Sequence, residues 1–307
     1  MIDILIINYN CCQHLEQLLR SLTQNVQAVS SRRSHYTITV VDNSSEDESV
    51  NIVRQFPSVR VIARASNDGY AAAVNEGVEQ TNNQDILLLN SDIMITPAEV
   101  AGLARVRERL GFQGILGPLH LESDGFPQLT WGEHPTFRAE FKRRELEHGL
   151  RLKRTWARKI ALAMSCRTRQ VGWISGSCMF FDRITYRKTG RWDENFFLYF
   201  EDIDWCLRAR HKDIPIYHTP EIRVQHVHGA SMLSNPVRSE VEYRRSQVYF
   251  TQKHFGSRRR FQVQIYVTGK YLIRFLLGKL SGTDRRTSMQ ILREVWKKPA
   301  TPEKEVQ

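Results

Sequence analysis

Several common sequence patterns are missing from this chain, and each absence excludes a class of protein. Its five cysteines form no CxxC pair and have no histidine at metal-ligand spacing, so we expect reduced thiols, as in a cytosolic protein. No GxGxxG or Walker A sequence is present, which disfavours dinucleotide binding and ATPase function. RNP, KH and zinc-finger patterns are missing too, so we predict no nucleic-acid partner.

Long hydrophobic runs are equally scarce. No window of about 18 residues is both apolar and uncharged, so no transmembrane helix is predicted. The first residues, MIDILIINYN, carry a short apolar run without a preceding basic region, which is typical of a strand and not of a signal peptide. We therefore expect a cytoplasmic protein.

Negative charge is in deficit. The chain has 44 Lys and Arg against 33 Asp and Glu, a net charge of +11. This excess favours an anionic partner, which could be nucleic acid, a phosphate-bearing substrate or an anionic membrane surface; charge alone does not choose among them. With 307 residues, 41% of them hydrophobic, the chain can form one large α/β domain with extensions or two smaller domains.

The first hundred residues alternate between strand and helix patterns. Apolar runs such as DILIIN, TITVV and DILLLN end in polar residues, and segments with helical spacing of apolar residues lie between them. This order predicts an α/β fold with a parallel sheet, in which ligands bind at the carboxyl ends of the strands. The polar residues at those ends are Asn8, Tyr9, Asn10, Asp42, Asn43, Asn90, Ser91 and Asp92.

Some of these strand ends and helix starts suit particular ligands. In LLLNSD, an apolar strand delivers Asp92 to its end, where a carboxylate can bind Mg²⁺ or Mn²⁺ together with phosphate oxygens. The alternative is a cap of the next helix, for which Thr96 before Pro97 is the better candidate.

Asp42 in VVDNSS either accepts hydrogen bonds from a base or ribose or ends its strand in a turn. The helix start after Gly69 in NDGYAAAVNEG favours close approach of an anion.

Two further segments concentrate titratable side chains. VQHVHGAS places His226 and His228 two residues apart, where one could bind the same cation or both could be surface histidines. LYFEDIDWCLRAR places Glu201, Asp202 and Asp204 among aromatic residues. The dipole at a helix N-terminus explains two acids in a first turn but not three among aromatics.

Eight segments occur in a familiar order over roughly residues 2–256. They are IINYN, VVDNSS, ASNDGYAAAVNEGV, DILLLNSD, WISGSCMFFDR, GRWDENFFLYFEDIDWCLRAR, VQHVHGAS and YRRSQVYFTQKHFG. Together they resemble the inverting family 2 glycosyltransferases of the GT-A fold, in particular a bacterial rhamnosyltransferase-like branch. The resemblance implies a Rossmann-like, nucleotide-sugar-binding α/β domain with a mixed, mostly parallel sheet and a C-terminal helical extension.

The resemblance also implies which residues bind the donor. Asp92 would bind a divalent cation, Mg²⁺ or Mn²⁺, from a DxD-like motif whose first position is Asn90 here. His226 or His228 would complete the metal site. The residues implied in binding the nucleotide-sugar are Asn8, Tyr9, Asn10, Asp42, Asn43, Asn67, Gly69, Asn75 and Ser91.

Catalysis and the acceptor side are assigned in the same way. Asp202 would be the catalytic base, with Glu201 as the second choice, and Asp204 would be a structural acid in the first turn of the helix. The acceptor side would be shaped by Gly176, Trp192 and Asp193. The implied reaction moves L-rhamnose from dTDP-rhamnose to a lipid-linked precursor of a cell-surface polysaccharide. The alternatives are transfer of galactofuranose or N-acetylglucosamine from a UDP donor, or a degenerate GT-A module that binds glycan or membrane without turnover.

The basic segments suggest how the chain is organised. We predict a GT-A domain over 1–235 with a basic helical insertion at 138–169, followed by a C-terminal helix and a basic amphipathic tail over 236–307. Both basic segments mix Lys and Arg with apolar residues. They would suit a peripheral protein on the inner face of the cytoplasmic membrane, each Lys or Arg adding about 1 kcal/mol on an anionic surface. The alternative is ordinary solvated helices that cover the sheet.

Overall fold

A mixed, mostly parallel sheet organises the chain. The computed structural model describes residues 1–24, 36–133, 135, 143, 145–150, 152–226, 236–276 and 285–297. The strands are β1 Ile2–Asn8, β2 Tyr36–Asp42, β3 Val59–Ala63, β4 Asp85–Asn90, β5 Ile93–Met94, β6 Ile115–Leu121, β7 Trp131–Gly132, β8 Arg169–Gln170, β9 Trp173–Ile174, β10 Cys178–Asp182 and β11 Ile216–His226. The helices are α1 Cys12–Gln24, α2 Ser49–Arg54, α3 Tyr70–Glu79, α4 Pro97–Leu110, α5 Thr155–Met164, α6 Arg183–Thr189, α7 Glu201–Arg210, α8 Pro236–Leu276 and α9 Arg285–Val295.

The strand order confirms the predicted sheet. Hydrogen-bonded neighbours run β3-β2-β1-β4-β10-β6-β11-β5, with β8 beside β11 and a separate β7-β9 pair. The first four strands are parallel, β10 lies antiparallel between β4 and β6, and β11 is parallel to β6. The register pairs Asn8 with Asp42 and Ile7 with Asn90, which brings the polar strand ends to one edge of the sheet.

Hydrophobic side chains cover both faces of this sheet. On one face, α1 buries a row of leucines against β1 and β4, as their helical spacing predicts: Leu15, Leu18, Leu19 and Leu22. On the other face, the small residues Ala71 and Ala73 of α3 and the large Trp205 of α7 fill the space above the strands. The central strands are buried on both sides, which is why their sequences are continuous apolar runs.

The start of α4 decides between two interpretations of Asp92. Thr96 caps the helix: its hydroxyl accepts from the Glu99 backbone N–H, and the Glu99 carboxylate accepts from the Thr96 N–H at 2.7 Å. This reciprocal capping box, with Pro97 at the first helical position, satisfies the helix end. Asp92 is therefore not needed as a cap.

The predicted C-terminal helix is present as α8, which breaks at Gly256, where φ is +77°. Its first half packs across the segment before α7, and its second half pairs with α9. The buried residues of that second pairing include Val263, Val267, Tyr271, Ile291 and Val295. The domain boundary near residue 235 stays a prediction. Of the predicted basic insertion, 138–142, 144 and 151 lie outside the described residues.

Candidate active site

The ends of β1 and β2 are joined by side-chain hydrogen bonds. The Asn8 amide donates to Asp42 Oδ1 at 2.8 Å, and Ser45 donates to the same carboxylate through its hydroxyl at 2.6 Å and its backbone N–H at 2.9 Å. The Asn10 N–H in turn donates to the Ser45 hydroxyl at 2.9 Å. Asp42 thus ends its strand in a turn, and this turn orders the loop that carries Tyr9 and Asn10. Sequence analysis did not identify Ser45.

A second cluster lies beside it, at the end of β3. The Asn43 amide donates to Asn67 Oδ1 at 2.9 Å and to the Gly69 carbonyl at 3.2 Å. Arg64 donates to Asn43 Oδ1 at 2.5 Å and pairs with Glu76 at 2.8 Å. Sequence analysis also missed Arg64, whose guanidinium brings positive charge to a cluster of predicted nucleotide-binding residues.

Gly69 allows a close backbone approach at the start of α3. Its φ is +104°, and a Cβ there would lie 2.5 Å from the Phe197 carbonyl oxygen. The next residue, Tyr70, donates its backbone N–H to that same oxygen at 2.9 Å. Its hydroxyl donates to the Gly176 carbonyl at 2.9 Å. Glycine is therefore required where α3 meets the segment that precedes the acids.

The backbone before α7 is strained. Tyr199 and Phe200 have φ of +68° and +70°, a left-handed conformation that costs aromatic residues of order 1–3 kcal/mol each. Phe200 is buried between Tyr243 and Phe250 of α8, with ring centroids 5.3 Å apart in both pairs. Packing by α8 thus stabilises the turn that presents the acids, as strained residues near functional sites require.

Asp202 is the second residue of α7 and is half-buried. Its Oδ2 accepts the Gly176 N–H at 3.0 Å and its Oδ1 accepts the Ile203 N–H at 2.8 Å. Burial raises the pKa of Asp202, although these two hydrogen bonds and the charge of Arg143 oppose the shift. Both oxygens are held by backbone N–H groups, and the residue is only partly buried.

Glu201 differs from Asp202 in its burial and its hydrogen bonding. Its side chain is buried, and Oε2 makes no hydrogen bond within the part of the chain that the structure describes. Burial, and next the charge of Asp202, raise the pKa of Glu201 well above its ordinary value. Two neighbouring carboxyl groups in such a site share protons as a pair, and burial favours the neutral form of Glu201.

Asp204 is fully buried and paired. It accepts from His254 at 2.7 Å, from Lys253 at 2.8 Å and from Arg208 at 2.9 Å. Burial by itself would raise the pKa of Asp204, but these three partners outweigh it and hold the pKa far below the ordinary range. The interpretation of Asp204 as a structural acid agrees with these contacts.

The predicted acceptor-side residues cluster around α7. Trp192 is buried and stacks on Trp205, with ring centroids 5.3 Å apart. The Asn75 side chain bonds to the Trp192 backbone N–H and carbonyl, both at 2.9 Å. Asp193 accepts from Lys253 at 2.6 Å. Asn75 and Asp193 thus tie the Trp192 segment to α3 and α8, and their assignments to donor and acceptor binding stay predictions.

Asp92 and His226 face each other at the end of β4 and β11. Asp92 Oδ1 is buried and accepts no hydrogen bond from the described residues, and His226 Nε2 lies 3.4 Å from it. Within those residues, no group of three or more His, Cys, Asp and Glu side chains could hold a metal ion. One carboxylate and one imidazole nevertheless suit a cation that takes its other ligands from phosphates. His228 lies outside the described residues.

A short loop contacts both Asp202 and the end of β4, beside the predicted metal ligands Asp92 and His226. Gly176 donates to Asp202, and the next residue, Ser177, accepts the Asn90 N–H at 2.9 Å. Tyr70 contacts the same loop, and burial followed by the charges of Glu201, Asp202 and Asp92 raises the pKa of its hydroxyl well above the ordinary value. The predicted catalytic and metal-binding groups therefore surround one loop and one tyrosine, which sequence analysis did not single out.

Comparison with known families decides the identity. The model of glycosyl transferase family 2 matches residues 3–186, more than half of the chain. The chain belongs to glycosyl transferase family 2. The recognition of that family from its motifs is confirmed.

Curated relatives of this glycosyltransferase are distant. It is 24% identical over 278 residues to an N-acetylglucosaminyl-diphospho-decaprenol L-rhamnosyltransferase of Mycobacterium tuberculosis, covering 83% of this chain and 86% of the relative. It is 26% identical over 227 residues to a low-salt glycan biosynthesis hexosyltransferase of Haloferax volcanii, covering 70% of this chain and 63% of the relative.

Solved structures confirm the fold of the glycosyltransferase. A mannosyltransferase of Pyrobaculum calidifontis, solved with GDP-Man and Mn²⁺, superposes with a TM-score of 0.55 at 11% identity, covering 96% of this chain and 85% of that one. The predicted GT-A fold is therefore correct.

Proposed function

We propose that this protein is an inverting glycosyltransferase that moves L-rhamnose from dTDP-rhamnose to a lipid-linked polysaccharide precursor. The observation that carries the proposal is the position of Asp202. The Ser175–Ser177 loop joins its carboxylate to the end of β4, where Asp92 faces His226 at 3.4 Å. A base on one side of a sugar and a diphosphate site on the other is the arrangement that a single displacement needs.

Asp202 would act as the base. Its carboxylate takes the proton of the acceptor hydroxyl as that oxygen bonds to the anomeric carbon, and the bond from this carbon to the donor phosphate breaks. Burial raises the pKa of Asp202, which makes its carboxylate a stronger proton acceptor. Burial, and next the charge of Asp202, raise the pKa of Glu201 well above its ordinary value, so Asp202 is the preferred base of the pair.

Asp92 and His226 would hold Mg²⁺ or Mn²⁺ beside the donor diphosphate. When bound, the cation neutralises charge on the leaving nucleoside diphosphate. The unbonded and buried oxygen of Asp92 supports this role, since a buried acceptor with no donor is costly unless a ligand satisfies it. Asn8 Oδ1 and Asn90 Oδ1 are likewise buried without a hydrogen bond from the described residues.

The two clusters at the ends of β1, β2 and β3 would bind the nucleoside. The Asp42 turn orders the loop of Tyr9 and Asn10, and Asn43 is fixed by Arg64 and Asn67. These groups would contact the base and ribose, with Ser91 near the phosphates.

The donor and acceptor are proposed from the Mycobacterium tuberculosis relative, whose name specifies rhamnose and a lipid-linked N-acetylglucosamine. A calorimetric panel with Mn²⁺ tests the donor, using dTDP-rhamnose, UDP-galactofuranose and UDP-N-acetylglucosamine. We expect dTDP-rhamnose to bind at least about tenfold more tightly than either UDP-sugar. Tighter binding of a UDP-sugar would favour the UDP-dependent alternative, and no binding of any donor would favour a degenerate module.

The C-terminal hairpin offers a surface for an anionic membrane. On α8 after Gly256 and on or just after α9, many large apolar side chains are exposed: Phe261, Ile265, Tyr266, Leu272, Ile273, Leu276, Met289 and Trp296. Basic residues flank them in sequence, including Arg258, Arg259, Arg260, Lys270 and Arg274. A similar mixture lies on and just before α5, where Leu152, Trp156 and Ile160 are exposed. No helix among the described residues is both long and apolar enough to cross a bilayer.

We expect the hairpin to bind the surface of the membrane that holds the acceptor, the inner face of the cytoplasmic membrane. In flotation with phosphatidylglycerol vesicles, a Phe261→Ser, Ile265→Ser, Ile273→Ser variant should bind at least about tenfold more weakly than wild type, because exposed apolar groups insert at the interface. Val237→Ser, at an exposed apolar position on the first half of α8, is the matched control. Equal flotation of all three proteins would contradict the membrane role.

A further inference from the structure

Gln128 is buried, and its side-chain amide contacts both the ring and the backbone carbonyl of His226. Its Oε1 lies 2.8 Å from His226 Nδ1, and its Nε2 donates to the His226 backbone carbonyl at 3.3 Å. The Gln128 backbone is anchored as well, donating to the His120 carbonyl at 2.9 Å and accepting from Thr130 at 3.1 Å. The amide therefore has a fixed position beside the imidazole.

Hydrogen-bond chemistry settles the orientation of this amide. A backbone carbonyl only accepts, so the group next to the His226 carbonyl must be the NH₂ of Gln128. The opposite orientation would place two acceptor oxygens against each other. The amide oxygen consequently faces His226 Nδ1, and because that oxygen only accepts, Nδ1 must carry a proton.

We infer that Gln128 is a positioning residue that selects the Nδ1–H tautomer of His226 and turns the Nε2 lone pair toward Asp92. In the neutral imidazole only one nitrogen carries a proton, so a proton fixed on Nδ1 leaves Nε2 as an acceptor. Nε2 and Asp92 Oδ1, 3.4 Å apart, then present two electron pairs to the same point.

Two facing acceptors repel unless a cation lies between them. The tautomer selected by Gln128 thus favours a metal ion over a direct His226–Asp92 hydrogen bond. Partners of a metal-binding histidine commonly act this way, and their loss typically lowers metal affinity by about 10- to 100-fold. This consequence for metal binding rests on the proposed function, whereas the tautomer itself does not.

The tautomer can be measured without metal, donor or turnover. In full-length protein labelled with ¹⁵N-histidine, long-range ¹H–¹⁵N spectra at about pH 8.5, where an ordinary imidazole is neutral, distinguish the two ring nitrogens. We expect His226 in the Nδ1–H form. The Gln128→Leu variant should shift the proton to Nε2, where Asp92 can accept it. The Gln128→Glu variant loses the hydrogen bond to the His226 carbonyl but keeps an acceptor beside Nδ1, so it should retain the wild-type tautomer.

A purely structural role for Gln128 would not produce this pattern. An Nε2–H tautomer in wild type, or an Nδ1–H tautomer that persists in Gln128→Leu, would overturn the inference. If Gln128→Leu does not fold, Gln128→Met, which also lacks the amide oxygen, is measured in its place with the same expected shift of the proton to Nε2.

Titration with Mn²⁺, followed by electron paramagnetic resonance, measures the consequence for metal affinity. Affinity should fall about 10- to 100-fold in Gln128→Leu and stay close to wild type in Gln128→Glu. Equal affinity of wild type and Gln128→Leu would overturn the link to metal binding. If the tautomers behave as expected but wild type binds no Mn²⁺, the proposed metal site fails and the assignment of Gln128 stands.

Discussion

The Asp202→Asn variant should transfer sugar about 10²- to 10⁴-fold more slowly than wild type while binding the donor nucleotide with unchanged affinity. That range is what a positioned general base contributes. The amide oxygen can still accept one of the backbone N–H groups that now hold the carboxylate, so the segment should keep its shape. Initial rates and calorimetric nucleotide affinities, measured on the same preparations, check both halves of the expectation.

Two matched variants give this result its meaning. Asp204→Asn makes the same substitution two residues later in the chain, but it removes the negative charge that pairs with Arg208 and Lys253. It should therefore lower the free energy of unfolding by about 3–5 kcal/mol, the usual cost of breaking a buried ion pair. Asp124→Asn alters an exposed carboxylate that pairs with Arg158 and should change neither the transfer rate nor the free energy of unfolding. A wild-type rate for Asp202→Asn would remove Asp202 from the base role.

The pH dependence of transfer also tests whether Asp202 is the base. A base works only when deprotonated, so kcat/KM of wild type should rise with pH through the raised pKa of Asp202. Because burial shifts that pKa upward, the rise should lie above the ordinary aspartate range of about 4. The residual activity of Asp202→Asn should lack this acidic limb.

The Asp92→Asn variant should lose the part of donor affinity that depends on a divalent cation. We expect Mn²⁺-dependent binding of dTDP to weaken by about 100-fold or more, since charge neutralisation by a bound metal is worth several kcal/mol. Asparagine preserves the size of the side chain but removes the charge that faces His226 at 3.4 Å. Calorimetry with Mn²⁺ and with EDTA separates the loss of cation-dependent dTDP affinity from damage to the nucleotide-binding residues.

In EDTA, wild type and Asp92→Asn should bind dTDP equally weakly, because the nucleoside contacts are intact in both proteins. Asp124→Asn again serves as the matched control with full Mn²⁺ dependence. An Asp92→Asn protein that retains the wild-type response to Mn²⁺ would exclude Asp92 as a metal ligand.

The sheet and its binding edge could be predicted from sequence because both depend on local patterns. Apolar runs ending in polar residues give the strands, and parallel pairing then aligns Asn8 with Asp42. The cap at Thr96 followed from its position before Pro97. These features need no knowledge of distant contacts, so the sequence was sufficient for them.

The ranking of the three acids could be proposed from the sequence, but its physical basis could not, because that basis depends on contacts from elsewhere in the chain. Asp204 is structural because His254 and Lys253, some 50 residues later, reach it from α8. Asp202 accepts from Gly176 just after a turn in which Phe200 adopts a left-handed conformation, which no propensity predicts for an aromatic residue.

Gln128, Tyr70 and Arg64 were missed for the same reason. Each is an ordinary residue type whose importance comes from tertiary contacts, among them His226, Gly176 and Asn43, respectively. A signal existed only for Tyr70, which follows Gly69 in a motif already singled out.

The anomeric configuration of the product tests the proposed single displacement most directly. Wild-type enzyme, a ¹³C-labelled donor and a lipid-diphosphate acceptor would give a product whose anomeric C–H coupling can be read by NMR. Direct attack by the acceptor oxygen, with Asp202 taking its proton, requires a configuration opposite to that of the donor. Retained configuration would require a second displacement or attack on the same face as the leaving group, and either would contradict the proposed mechanism.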